Sequence, residues 1–128
     1  MTTLLNPLRR SEERIREDVL LFTPVGSSME KVIEAIENNR RWTNEHVIYD
    51  RGYAIMRAGS EGEHTYFSTI YYAEGSRPFV RTVGVETIRL NIGSYTDPSA
   101  TTVVLVHWAF GENGELIDIA VRKEVTSL

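Results

Sequence analysis

The sequence predicts an α+β fold: two N-terminal helices packed on one face of a twisted antiparallel sheet of about five or six strands. Three observations carry this. Apolar residues recur at helical spacing up to residue 39 and give way to extended β-branched and aromatic segments from Val47 onward. The connections between the extended segments are short, which favours antiparallel pairing of consecutive strands. Gly111-Glu112-Asn113-Gly114-Glu115 contains Asn-Gly, the dipeptide that supplies the positive φ angles of a tight hairpin turn.

A first helix is predicted over residues 8–22, with Leu8, Ile15, Val19 and Phe22 on one face. Pro7 suits a first helical turn, where its missing N–H costs nothing. Alternatively Ser11 caps the start, ahead of the acidic pair Glu12 and Glu13. Glu12 and Arg16 are spaced for a pair along the helix face. Thr23-Pro24 ends the helix, because a residue before proline avoids the α region. A second helix is predicted over residues 28–39, with Ser27 and Glu30 at capping-box spacing. Met29, Val32, Ile33 and Ile36 share its inner face. Asn38-Asn39 stops it, and Arg40 and Arg41 favour its negative end.

Strands are predicted at 46–50, 53–58, 65–73, 80–92, 101–110 and 116–123, separated by glycine-rich breaks such as Gly59-Ser60-Glu61-Gly62. In the fifth, Val104, Val106, Trp108 and Phe110 alternate with Val103, Leu105, His107 and Ala109. Both faces are apolar, which places this strand centrally. In the last, Ile117, Ile119 and Val121 form the inner face. The predicted core draws Ile15, Val19, Val32, Ile33, Ile36 and Trp42 from the helical half. From the sheet it draws Val104, Val106, Trp108, Ile117 and Ile119.

A chain of 128 residues with 41% apolar content fits one domain, residues 1–128, with one packed core. The absence of cysteine excludes disulfides, thiolate catalysis and cysteine-held metals. A net charge of −4 gives little attraction to nucleic acid. Arg9, Arg10, Arg14 and Arg16 are interleaved with Glu12, Glu13, Glu17 and Asp18, so that segment reads as a solvated helix face. A nucleic-acid contact through it is the least favoured reading. Asn6 and Pro7 interrupt Leu4, Leu5 and Leu8, so no export signal is expected. No run approaches the roughly 20 apolar residues of a membrane span. The expectation is a cytoplasmic protein with no membrane contact.

Residue patterns that carry chemistry are sparse. No phosphate-binding glycine loop and no serine nucleophile elbow occurs. His46, His64 and His107 are dispersed, so no metal site is expected; His64 with Glu61 and Glu63 is the weak alternative. His107 lies mid-strand beside Trp108. It reads as a hydrogen-bonded histidine at the edge of the core, or alternatively as a general base with Asp118 or Arg122. No catalytic residue and no cofactor is expected. Tyr66, Phe67, Tyr71 and Tyr72 cluster in one strand without Lys or Arg. A tyrosine-rich sheet face suits a protein contact better than RNA, because the rings give area at low entropic cost.

Two segments together resemble a known family. They are Pro24-Val25-Gly26-Ser27-Ser28-Met29-Glu30-Lys31-Val32 and Trp108-Ala109-Phe110-Gly111-Glu112-Asn113-Gly114-Glu115-Leu116-Ile117-Asp118-Ile119. The order of a Gly/Ser cap, an amphipathic helix and a terminal hairpin resembles the two-helix, four-strand module of the β-lactamase-inhibitor-protein-like fold. Outer-membrane assembly lipoproteins of the SmpA/OmlA type share that module. The chain departs from them in having Ile36-Glu37-Asn38-Asn39 where Leu-Gly-x-Pro commonly follows the helix, and in lacking a lipid-attachment cysteine. The resemblance implies a module that binds other proteins.

The leading functional expectation is therefore a non-enzymatic protein-binding module: a small cytosolic inhibitor, an immunity-type protein or a regulator. Its partner would be another protein or a second copy. The contact residues would be Tyr66, Tyr71, Tyr72 and His107 on the sheet face away from the helices. The alternative is a small-ligand-binding or enzymatic cone-shaped α+β domain. Its pocket would lie between helices and sheet near His107, with Trp108, Asp50 and Tyr72 as further candidates.

Overall fold

Pro7 and Ser11 each begin a helix in the computed structural model, which describes residues 6–57, 65–76 and 78–127. Pro7–Arg9 forms a single 3-10 turn whose cap, Asn6, accepts from the Leu8 N–H at 2.9 Å. Ser11 then caps α1 (Glu12–Phe22) by accepting from the Arg14 N–H at 3.1 Å. The single helix expected over 8–22 is therefore broken: Arg10 is extended, and α1 proper starts from the alternative cap, Ser11. Ser28, rather than Ser27, caps α2 (Met29–Asn38), accepting from the Lys31 N–H at 3.2 Å. Ser27 is committed elsewhere. Its hydroxyl donates to the Pro24 carbonyl at 2.6 Å, and its own carbonyl accepts from the Leu116 N–H at 2.7 Å.

The strands are β1 (Val47–Tyr49), β2 (Tyr53–Arg57), β3 (Thr65–Ser68), β4 (Phe79–Val83), β5 (Glu86–Asp97), β6 (Ala100–Phe110) and β7 (Leu116–Ser127). The α+β class with N-terminal helices is as expected. The strands divide between two antiparallel sheets, one of four strands in the order β1-β5-β6-β7 and one of three in the order β3-β2-β4. The central position expected for β6 holds. The strand expected over 80–92 is two strands in different sheets, broken at Gly84, where φ is +80°. A Cβ there would stand 2.9 Å from the Phe110 carbonyl oxygen. Gly52, at the other crossing between sheets, backs directly onto Gly84: a Cβ at Gly52 would overlap the Val83 and Gly84 carbonyl oxygens.

Three layers result. Ile15, Val19, Val32 and Ile36 of the helices pack on Ile88, Leu90, Val104, Val106, Trp108 and Phe110 of the larger sheet. The smaller sheet covers the opposite face, where Tyr53 and Val83 meet Ala109 and Ala120. The small alanines leave room for Tyr53, which is 1% exposed. Ile33 and Trp42 pack against the main core only partly buried. Two expected inner-face residues lie elsewhere. Ile117 is 46% exposed, because Ala109 pairs with Asp118 and Phe110 with Leu116, leaving Ile117 as the extra residue of a bulge. Leu116 takes its place in the core. Phe22 is 60% exposed at the end of α1.

The outer edge of β7 is satisfied by α1. Arg16 Nε donates to the Ile119 carbonyl at 2.8 Å and its guanidinium pairs with Asp118 at 2.6 Å. The Glu12 carboxylate accepts from the Lys123 N–H at 2.8 Å. The expected Glu12–Arg16 pair along the helix gives way to these tertiary bonds, which satisfy strand-edge backbone groups.

Candidate functional site

A cleft of about 870 Å³ opens where the 3-10 turn, α1, the end of α2 and β5 meet. Its apolar wall comes from Leu8, Leu21, Phe22, Trp42 and Ile92. Leu20-Leu21-Phe22 places three apolar residues in a row at the end of α1, more than one buried stripe can use. Leu21 is therefore 82% exposed, and Phe22 turns onto Trp42 with ring centroids 6.0 Å apart. Trp42 in turn stacks edge-on against the buried Trp108, also at 6.0 Å. Trp42 thus links the cleft to the core. The polar border consists of Asn38, Asn39, Arg40 and Arg41 as the chain leaves α2, and of Arg10 and Asp18, which pair at 2.6 Å.

His107 lies in the layer between the two sheets and is 2% exposed. Tyr53 stands edge-on to it with ring centroids 5.9 Å apart, and Phe67 lies tilted against it at 6.4 Å. Its Nδ1 has no hydrogen-bond partner among the described residues. Burial first, and then the guanidinium groups of Arg89 and Arg122, together push the imidazole pKa down to about 4. Burial also raises the neighbouring Tyr53 phenol above its ordinary value, with the Asp118 carboxylate adding to the effect. The histidine is therefore neutral at pH 7 and lies inside the protein, away from any surface a partner could touch. It borders neither the cleft nor the second hollow described below.

The three tyrosines occupy different settings. Tyr66 is in β3, opposite Met56, half-buried, with the Arg122 guanidinium 5.3 Å from its ring. Arg122 also donates to the Phe67 carbonyl at 2.6 Å and pairs with Glu124, so it ties β7 to β3. The strand expected to run to residue 73 stops at Ser68, whose hydroxyl accepts from the Ile70 N–H at 3.0 Å. Beyond that stop Ile70 is 66% exposed and Tyr71 71% exposed. Tyr71, Tyr72 and Phe79 line a second, shallower hollow of about 440 Å³ beside β4. Tyr49, on β1, has its phenol pKa lowered by a hydrogen bond with Thr69, with Arg89 adding to it and burial opposing.

The cleft residues carried a signal that sequence reasoning assigned to other roles. Trp42 reads as core, Arg40-Arg41 as dipole partners and Phe22 as helix face. Of the four N-terminal arginines, Arg9 pairs with Asp97 at 3.0 Å, Arg10 with Asp18 and Arg16 with Asp118. Among the described residues no three His, Asp or Glu side chains converge as a metal site, and no helix is long and apolar enough to cross a membrane. The proposed alternative at Glu61, Glu63 and His64 lies outside the described residues, as does the loop at 59–63. The segment before α2 is bonded to the start of β7: the Gly26 N–H donates to the Leu116 carbonyl at 2.8 Å and the Leu116 N–H to the Ser27 carbonyl at 2.7 Å. No protein-family model, curated protein or solved structure matches this chain.

Proposed function

We propose that the domain binds a small, largely apolar ligand in the cleft between the helices and the larger sheet. The observation that carries this reading is the cleft itself. Its volume of about 870 Å³ falls within the roughly 300–1,000 Å³ usual for ligand sites. Leu21 and Phe22 are left exposed on its wall although their burial would stabilise the fold. In this reading the ligand would lie between helices and sheet, on the opposite side of the larger sheet from His107.

Titration with Nile red, an uncharged apolar dye, tests the reading. Saturable binding at one site per chain is expected, with quenching of Trp42 fluorescence. Ala35→Trp, which fills the cleft, should abolish binding, and Leu21→Lys should weaken it, with the circular dichroism spectrum retained in both. Dye binding unchanged by both variants would overturn the reading.

A second reading, a protein contact, is favoured by Ile70 and Tyr71 standing exposed beside the Tyr72 hollow and by the resemblance to an inhibitor-type module. Of the sheet-face residues expected for such a contact, Tyr71 and Tyr72 stay at this surface and Tyr66 is half covered. For self-association, light scattering across a concentration series should show a dimer that Tyr71→Glu dissociates. A monomer at all concentrations removes the second-copy form of this reading.

A further inference from the structure

The cleft has one chemically distinct end. The chain leaves α2 through a turn in which the Trp42 N–H donates to the Asn39 carbonyl at 3.1 Å and the Arg41 N–H to the Asn39 side-chain oxygen at 3.0 Å. This turn sets Arg40 and Arg41 at the border of the cleft, next to Trp42. Neither guanidinium has an ion-pair partner among the described residues. The carboxylate that lines the cleft, Asp18, is committed to Arg10 at 2.6 Å. The partial negative charge at the end of α2, roughly half a unit, offsets only part of the two positive charges. An acidic chain, of net charge −4, therefore carries a local positive surplus where an apolar cleft meets solvent.

We infer that the occupant is a single-chain amphiphile with an anionic head, of the long-chain carboxylate class. Its head would sit at Arg40 and Arg41, and its tail would run along Phe22, Trp42 and Leu21. This rests on the ligand-binding reading of the cleft. A guanidinium offers a planar fork that matches a carboxylate with two parallel, charge-assisted hydrogen bonds. An alkyl tail against Leu, Phe and Trp side chains gains burial with every methylene. A doubly apolar ligand would leave the arginines without a role, and a cationic head would be repelled by them.

Isothermal titration below the micelle concentration, with decanoate, dodecanoate, decanol and decyltrimethylammonium, separates the possibilities. Decanoate should bind at least tenfold more tightly than decanol, and the ammonium compound more weakly than either. Each added methylene should tighten binding by about fourfold. The double variant Arg40→Ala/Arg41→Ala should bind decanoate and decanol alike, whereas Arg14→Ala, an exposed arginine outside the cleft, should bind as the natural chain does. Equal binding of decanoate and decanol by the natural chain, or preference for the ammonium compound, would overturn the head-group inference and leave the cleft reading standing. Nile red binding without binding of any decyl amphiphile would also overturn it. Failure of the dye and all amphiphiles together would remove the cleft reading as well.

Discussion

The indole N–H of Trp108 donates to the Thr23 hydroxyl at 3.0 Å, and that hydroxyl donates to the Val19 carbonyl at 3.0 Å. The pair joins the residue after α1 to the C-terminal end of β6. Both side chains are buried, with Trp108 at 0% and Thr23 at 1% exposure. An indole N–H in such a place needs a partner. Thr23→Val keeps the shape and removes the acceptor, and should cost about 1–3 kcal/mol. Thr23→Ser keeps the hydroxyl and should lose distinctly less. Urea unfolding of the two variants provides the comparison, and equal losses would show that the hydrogen bond is not what matters.

Gly52 and Gly84 should be the least replaceable residues outside the core. Gly84→Ala forces a side chain into a left-handed conformation, at about 1–2 kcal/mol, and into contact with Phe110 and Ala109. Gly52→Ala drives a methyl group into the Val83 and Gly84 carbonyl oxygens, so backbone rather than a flexible side chain must shift. Thermal unfolding should rank Gly52→Ala as the more damaging. The reverse order would mean that the two crossings yield more easily than their packing implies.

His107 should make the fold acid-sensitive. Its folded pKa, pushed down to about 4, lies below the ordinary 6.5, so the unfolded chain takes up the proton first. The stability contributed by the neutral imidazole is complete above pH 6.5, declines as pH falls from there to about 4 and is gone below. The gap corresponds to about 3 kcal/mol. His107→Leu should remove this component, so its stability should decline less than that of the natural chain between pH 7 and pH 4. Parallel decline in both proteins would assign acid sensitivity to the carboxylates instead.

Glu12 and Arg16 should guard the β7 edge. Their removal in Glu12→Ala/Arg16→Ala frees the Lys123 N–H and the Ile119 carbonyl for pairing with another chain. Individual surface ion pairs contribute about 0–1 kcal/mol, so stability should change little. Light scattering should instead report stronger self-association than in the natural chain. A large stability loss without association would mean that the two side chains hold α1 in place rather than protect an edge.

Local sequence settled the elements that depend on local physics. The Ser27-Ser28 pair marked the start of the second helix to within a residue, since a cap is a contact across three positions; the first helix, expected from residue 8, starts at Glu12 behind the alternative cap Ser11. The two-faced apolar pattern of Thr101–Phe110 marked the central strand, since such a segment needs cover on both sides. The Asn113-Gly114 turn located the last hairpin. What covers each face was decided by tertiary structure. The run 80–92 looks continuous because a single glycine between Val83 and Val85 is a weak signal, and the chain changes sheet there at the positive φ of Gly84, against which Gly52 packs. That change brings β2–β4 over the face expected to be open, buries His107 and takes Tyr66 out of a shared aromatic surface with Tyr71 and Tyr72. Ile117 lost its place in the core to a bulge whose register depends on the partner strand. The cleft is also a tertiary product. Its walls come from residues 8, 21, 22, 42 and 92, distances in sequence that no local periodicity connects, and it exists because four elements meet there without filling the space between them.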